Sequence, residues 1–414
     1  FPELKHAYQW ISIRDRDLKN GIVTIKNKYQ FISLGGLAAK WQISENGEAI
    51  SSGNLVLGDI KPGGEQDVTV PYKIIPKPGA EYFLRISFDL AIDQLWAKKG
   101  FEVAAQQLEL PVNAIDSREQ TINGILVLSE SKDAFKIKGT GFNLEFDKAK
   151  GTFSKMETGG KNLLRENGGP ALHLWRAPHQ KDDMWAYEEW EKYGLKTISW
   201  VVNEVAGKQL SPNEVEIKVN LTGTGKENFI VHHKAVYTVN SEGVIDAVNN
   251  VDFSNPKLVL ARLGVRMLLS KDLNQFDYLG RGPMENYADR KQGFDVGHYF
   301  SSVRQQLTPY EKPMECGNHE DVRWAKLSNG KGEGISIKRD ADLLQVSALP
   351  YSDEEMENVE YKIDLPETKG TVLCISHKTL GVGSNGCGPR PLEVYRVYAQ
   401  PASFSYQVQL FKKG

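Results

Sequence analysis

Apolar residues at every second position, interrupted by turn residues at intervals of roughly ten, constrain this chain more than any other feature, because successive strand side chains point to opposite faces. Tyr82, Leu84, Ile86 and Phe88 keep that period, blurred only by Phe83. Phe135 with Ile137, and Phe142 with Leu144 and Phe146, keep it around Gly139-Thr140-Gly141. Val215, Ile217, Val219 and Leu221 alternate against Glu214, Glu216, Lys218 and Asn220, as a strand with one wet face should. Asn46-Gly47 signals a hairpin, Lys61-Pro62-Gly63-Gly64 a break, and Asp147 to Gly151 a turn into Phe153. One short helix is predicted, with Asp182 or Asp183 as its cap, Trp185, Glu189, Trp190 and Tyr193 near helical spacing, and Gly194 as its end.

At 414 residues the chain is too long for one ordinary core, and about two or three domains are expected. Residues 1–115 read as a small β-sandwich that positions its neighbours, with Trp41 as a core plug. The stretch from Pro111 to Gln120 is polar and weakly patterned, which places the boundary there. Residues 116–414 then read as one large two-sheet sandwich, making the predicted fold class all-β.

Lys plus Arg (51) nearly balances Asp plus Glu (53), so no bulk field draws the chain to nucleic acid or to an anionic membrane. No apolar run approaches the roughly 18 residues of a membrane span. A soluble protein is expected, with the choice between cytoplasm and periplasm left open. The three cysteines, Cys316, Cys374 and Cys387, show no metal-ligand spacing, and their odd number argues against a disulfide framework. The opening residues, FPELKHAYQW, read as a mid-chain linker, which fits a piece of something larger.

Chemistry concentrates in YLGRGPMENYADR, Tyr278 to Arg290, and its echo ECGNHEDVRW, Glu315 to Trp324. Gly280, Gly282 and Pro283 read as a tight turn leaving a strand, since glycine reaches φ values that other residues resist. Glu285, Asn286, Asp289 and Arg290 offer planar or forked groups that match vicinal hydroxyls, and Tyr278 and Tyr287 offer flat faces for the C–H surfaces of a sugar. On spacing alone, a polar turn capped by its own side chains is the simpler reading.

These two runs, together with LHLWRAPHQKDD (172–183), ARLGVRM (261–267) and LGVGSNGCGPRPLEVY (380–395), closely resemble the small-chain domain of family 2 glycoside hydrolases of the β-galactosidase type, in the family's order. The preceding segment resembles the immunoglobulin-like domain that joins the catalytic barrel to the small-chain domain in that family. The resemblance implies a small immunoglobulin-like β-sandwich followed by a large two-sheet supersandwich of the galactose mutarotase-like type. It also implies retaining hydrolysis of terminal β-galactosides by a whole enzyme of which this chain is the non-barrel portion. The partners it implies are a β-galactoside, a catalytic barrel in the same chain or a partner subunit, and further copies in a homo-oligomer.

A retaining glycosidase needs two carboxyl groups about 5–5.5 Å apart. Glu285 with Asp289, Asp182 with Asp183, and Glu315 with Glu320 are nominal pairs, but the family places its catalytic glutamates in a (β/α)₈ barrel, whose β/α alternation is missing here. No catalytic residue, metal site or cofactor is therefore expected in this portion, and no turnover by it alone. By resemblance, Gly282 to Arg290 is the loop that approaches the active site, with Gly280 and Gly282 as its hinge. Arg176, Asp182, Asn318 and His319, with Glu315 and Arg323, are the other motif polar residues, and Arg176 and Arg262 are ready partners for buried carboxylates. Cys387 stands where many relatives carry a tryptophan that stacks on the aglycone, and Gln180-Lys181-Asp182 stands where the family usually has Asp-Asn-Asp. Two alternatives accompany this reading. One is a mutarotase-like epimerase using His319 with Glu285 or Glu315; the other is a non-catalytic carbohydrate-binding or assembly subunit.

Overall fold

The computed structural model describes residues 1–112, 124–179 and 181–412; the expected domain boundary and Gln180 lie outside them. Strands and turns make up most of it, and it separates into two units, Phe1–Gln120 with Lys291–His298, and Thr121–Arg290 with Tyr299–Gly414.

In the first unit, Glu48–Asn54, Leu37–Glu45, Tyr82–Leu90 and Glu102–Glu109 form one antiparallel sheet in that order, and Ile11–Asp17, Ile22–Asn27 and Glu65–Thr69 form another. Asn46 and Gly47 take left-handed φ values of 48° and 86°, which is the geometry a two-residue hairpin turn needs. Ile13, Val23 and Ile25 from the smaller sheet meet Trp41, Ile43, Leu84 and Ile86 from the larger one in a single core. Trp41 is thus the core plug the sequence suggests. Phe83 breaks the alternation because both faces of its strand are covered, and it too is buried. The opening residues differ from expectation: Pro2–Tyr8 is a helix. Proline near its start, Glu3 in its first turn and Lys5 and His6 in its last suit the backbone dipole, but it buries no residue and so leaves no apolar stripe to read.

In the second unit the largest sheet includes, in this order, Ser199–Ser211, Glu214–Thr224, Ile230–Asn240, Val244–Phe253, Ala402–Lys412, Glu333–Arg339, Trp324–Ser328 and Gln275–Gly282. A five-stranded sheet is built from Lys161–Asn162, Thr152–Thr158, Phe142–Asp147, Ala134–Gly139 and Val127–Glu130. The turn between two of these strands forms as read: the Asp147 carboxylate accepts from the amides of Ala149 and Lys150, each at 2.9 Å, and Gly151 supplies φ 66°. Phe146, Phe153 and Tyr237 meet edge-on or tilted in the shared core, with ring centroids 5.1–5.9 Å apart.

A second five-stranded sheet, in the order Ala171–His173, Arg262–Leu269, Thr371–Thr379, Leu344–Leu349 and His319–Val322, positions the site. On strand Arg262–Leu269 the side chains of Leu263, Val265, Met267 and Leu269 enter the core. Period two then places Arg262 and Arg266 together on the opposite face. The predicted helix is present as Met184–Tyr193, ended by Gly194 at φ 68°. Its N-cap is Asp183, but that carboxylate makes no capping bond.

Phe146→Ala is expected to lower stability by about 3–5 kcal/mol, whereas Val127→Ala, at an exposed position, should stay within about 0.5 kcal/mol of the parent. Urea unfolding followed by circular dichroism measures both.

Candidate functional site: four loops locked together

The site grows from the charged face of the second five-stranded sheet. Arg262, 2% exposed, forms an ion pair with the carboxylate of Glu315. The other Glu315 oxygen accepts from the Tyr287 hydroxyl at 3.1 Å. The Glu315 amide donates to the Ala177 carbonyl at 2.9 Å, and its carbonyl accepts from His179 Nε2 at 3.0 Å. One residue therefore ties a strand to two loops. Beside it, Asp353 accepts from the Ala177 amide at 3.0 Å and lies 2.8 Å from His173 Nε2, while Arg266 Nη1 donates to both Glu354 carboxylate oxygens, at 2.8 and 2.9 Å.

The remaining contacts join the motif runs to one another. Arg176 holds Asp183 through Nε (3.0 Å) and Nη2 (2.6 Å), and its Nη1 donates to the Leu380 carbonyl at 2.6 Å. This is why Asp183 is not free to cap its helix. Asp289 accepts from the amides of Val382 (3.1 Å) and Gly383 (2.7 Å), and Asp182 from that of Gly386 (2.7 Å). Gly381 permits the approach: a Cβ there would sit 2.8 Å from the Asp289 carboxyl carbon. Residues 176–179 with 182–183, and the segments around 281–290, 315–321 and 380–387, thus form one hydrogen-bonded body.

Glu285 is the second hub. Its carboxylate accepts from Arg290 Nη2 (2.8 Å), the Tyr310 hydroxyl (2.7 Å), the Thr308 hydroxyl (2.8 Å) and the Gly317 amide (2.8 Å). Burial pushes this carboxyl up, but the Arg290 charge and the Tyr310, Gly317 and Thr308 donors outweigh it and hold it below its ordinary value. Asn286 is fully enclosed; its amide donates to the carbonyls of Arg281 and Met284 at 3.0 Å each and accepts from the Glu320 amide at 2.9 Å. Asn318 donates to the Asn286 carbonyl (2.9 Å) and to Glu320 (3.0 Å).

The predicted site residues therefore divide. Arg176, Asn286, Tyr287, Asn318 and His319 are buried, with their polar atoms committed to the fold. Glu285, Asp289, Arg290 and Asp182 lie at the margin, and Cys387 is exposed. Neither tyrosine face is open. Phe276 and His319 flank Tyr278 with centroids at 4.9 and 4.3 Å, and the Arg290 guanidinium lies over Tyr287 at 4.9 Å. His319 has Nδ1 3.0 Å from both the Tyr278 hydroxyl and the Arg281 carbonyl, with Gln306 on Nε2. Burial drives its pKa down to about 4, against the pull of that carbonyl, so it is neutral near pH 7.

Gly280 and Gly282 do not take left-handed φ values, contrary to the expectation for a φ-driven turn. They are glycines for want of space: a Cβ at Gly282 would meet the Tyr278 hydroxyl at 2.3 Å, and one at Gly280 would meet Val322 at 2.8 Å. Sequence reasoning also missed Asp183, Asp353, His173, Thr308 and Tyr310 as partners of the motif. Asp183 and His173 lie within the run 172–183 but carry no sign of their partners, and Asp353, Thr308 and Tyr310 reach theirs only through the fold. His173, Asp353 and Cys374 place potential ligand atoms within 4.8 Å of one another. Arg262 and Arg266 stand 3.9 and 3.7 Å from Asp353, so the group reads as an ion network in which a metal cation would be repelled.

Among proteins of known family, the β-galactosidase small-chain family matches residues 138–410, and β-galactosidase domain 4 matches residues 23–111. The chain belongs to the β-galactosidase small-chain family. More particularly, β-galactosidases of Priestia megaterium and Kluyveromyces lactis are 28% and 25% identical to it over 386 and 400 residues, 92% and 94% of this chain. The chain spans 37% and 36% of those relatives' lengths. A galactose 1-epimerase of Lactobacillus acidophilus overlaps 71% of this chain and all of its own, at 11% identity and a TM-score of 0.37. Among the described residues no helix is long and apolar enough to cross a membrane.

Because the folded Glu285 carboxyl titrates below its ordinary 4.5, its contribution to stability is complete above that value and is lost as pH falls through the depressed one. Glu285→Gln should cost about 2–3 kcal/mol at neutral pH, and the gap from the parent should narrow as the medium is acidified below about pH 4. Denaturant midpoints across that pH range provide the check.

Proposed function

We propose that this chain is the non-barrel portion of a β-galactosidase, a wall that completes a galactoside pocket whose catalytic carboxylates come from a barrel in the same chain or a partner subunit. Family membership and the named relatives support the enzyme class. The observation that carries the reading is the locking of all the motif loops into one body, with Arg290, Asp289, Asp182 and Cys387 left at its margin. Pre-organised groups of this kind hold a substrate in register and exclude water, which acts on the barrier as well as on affinity.

In this reading Arg290, Glu285, Asp289 and Asp182 meet the sugar or its leaving group, and Arg176, Asn286, Tyr287, Asn318 and His319 keep the wall in shape. Cys387 faces the aglycone, where a thiol offers no surface for stacking. The nominal carboxylate pairs suit this division of labour, since Glu285, Asp289, Asp182, Asp183, Glu315 and Glu320 each serve a partner within the fold. An epimerase would need His319 at an open site, and its enclosure does not favour that reading.

The test is reconstitution. Mixed with the separately produced remainder of its enzyme, the chain should give hydrolysis of nitrophenyl β-galactoside, with none from the chain by itself. Arg290→Ala should reduce kcat/KM of the mixture by about 10–100-fold. Cleavage by the chain alone would overturn the reading, as would a mixture indifferent to Arg290.

A further inference from the structure

Lined by none of the motif residues, although it shares a buried cluster with Ala177 and Cys316, a recess of about 460 Å³ in the second unit goes unused by the proposed function. Val303, Leu307, Pro350 and Leu365 form its apolar walls. Leu307 and Leu365 also pack on a small buried cluster that contains Leu349 and Met356, which fixes the floor. Size and lining fit a small-molecule site, since such sites run about 300–1,000 Å³ and are mostly apolar with a few placed polar groups.

The charged groups that line it are of one sign. Lys271, Arg304 and Lys362 stand around the recess and no carboxylate lines it. Lys271 pairs with Glu367 and Lys362 with Glu311, in contacts so exposed that they contribute little and yield readily. Arg304 is exposed and its guanidinium has no partner among the described residues; the Tyr351 hydroxyl and the Asn274 amide are likewise without one. An apolar cup with unassigned donors and excess positive charge matches one ligand chemistry better than others. A neutral apolar molecule would leave the donors unmatched, and a sugar would set its hydroxyls against leucine and proline.

We infer that this recess binds a small amphipathic monoanion, an aromatic or branched aliphatic acid whose apolar body lies on Leu307 and Leu365 and whose carboxylate faces Arg304. A guanidinium is suited to this because its planar fork matches a carboxylate in two bonds.

The probe is 2-naphthoate, with 2-naphthylmethanol as its uncharged counterpart, titrated calorimetrically into the 414-residue chain. The acid should saturate one site and bind about tenfold more tightly than the alcohol. Arg304→Glu should weaken the acid by about tenfold or more and leave the alcohol nearly unchanged, while Arg304→Lys keeps most of the affinity. Both variants alter an exposed, unpartnered side chain, so the fold should persist, and near-ultraviolet circular dichroism verifies it. Equal binding of acid and alcohol, non-saturating uptake, no binding, or an Arg304→Glu variant that binds the acid like the parent would each overturn the assignment.

Discussion

Burying a charge is costly unless its partner is buried with it, and the pair of Arg262 and Glu315 is the point on which the candidate site depends. Both groups are almost wholly enclosed. Burial pushes the Glu315 carboxyl upward, with Arg262 pulling the other way. The geometry offsets part of the desolvation, because the carboxylate also takes the Tyr287 hydroxyl and the backbone of Glu315 reaches Ala177 and His179, although burial still leaves the carboxyl raised to about 7 and Arg262 Nε without a partner. The same contacts that satisfy the charge therefore also place the loops. Around them, Asp353 with His173 and Arg266 with Glu354 extend the network across one face of a sheet whose other face is hydrocarbon.

This arrangement separates shape from contact. Asn286, Asn318 and His319 look like ligand residues in the sequence, yet each satisfies backbone or side-chain groups of neighbouring loops inside the protein. Arg290 is different. It braces Glu285 and covers Tyr287 while remaining partly open, with a third of its side chain exposed. A residue held that firmly at a margin presents its remaining donors in a fixed direction, which is what a substrate wall requires.

Much of the fold was legible because strand periodicity is a local property. Val215 to Leu221, the Asn46-Gly47 hairpin and the Asp147 turn follow from a few adjacent residues, and the helix ended by Gly194 announces both its stripe and its stop. The site was legible as a set of motifs and much less so as a set of orientations. Arg262 and Glu315 are 53 residues apart, and Arg176 and Leu380 are 204 apart; no local pattern tells an inward asparagine from an outward one. Gly282 shows the same limit, since its missing side chain answers to Tyr278 and Tyr299 across the fold and not to its own φ. The Pro2–Tyr8 helix escaped for the opposite reason: its end signals are present, but no apolar stripe accompanies them.

The buried Glu315 carboxylate holds together the loops from which Arg176, Asp289 and Asp182 reach the 380–387 segment, and amide hydrogen exchange in a Glu315→Gln variant tests this coupling most directly. Coupling predicts that the amides of Asn286, Arg290, Val382 and Gly383, each bonded within the network in the parent, exchange faster together while strand Glu214–Thr224 stays protected. Unchanged exchange at those amides, or loss of protection confined to residues next to position 315, would contradict it.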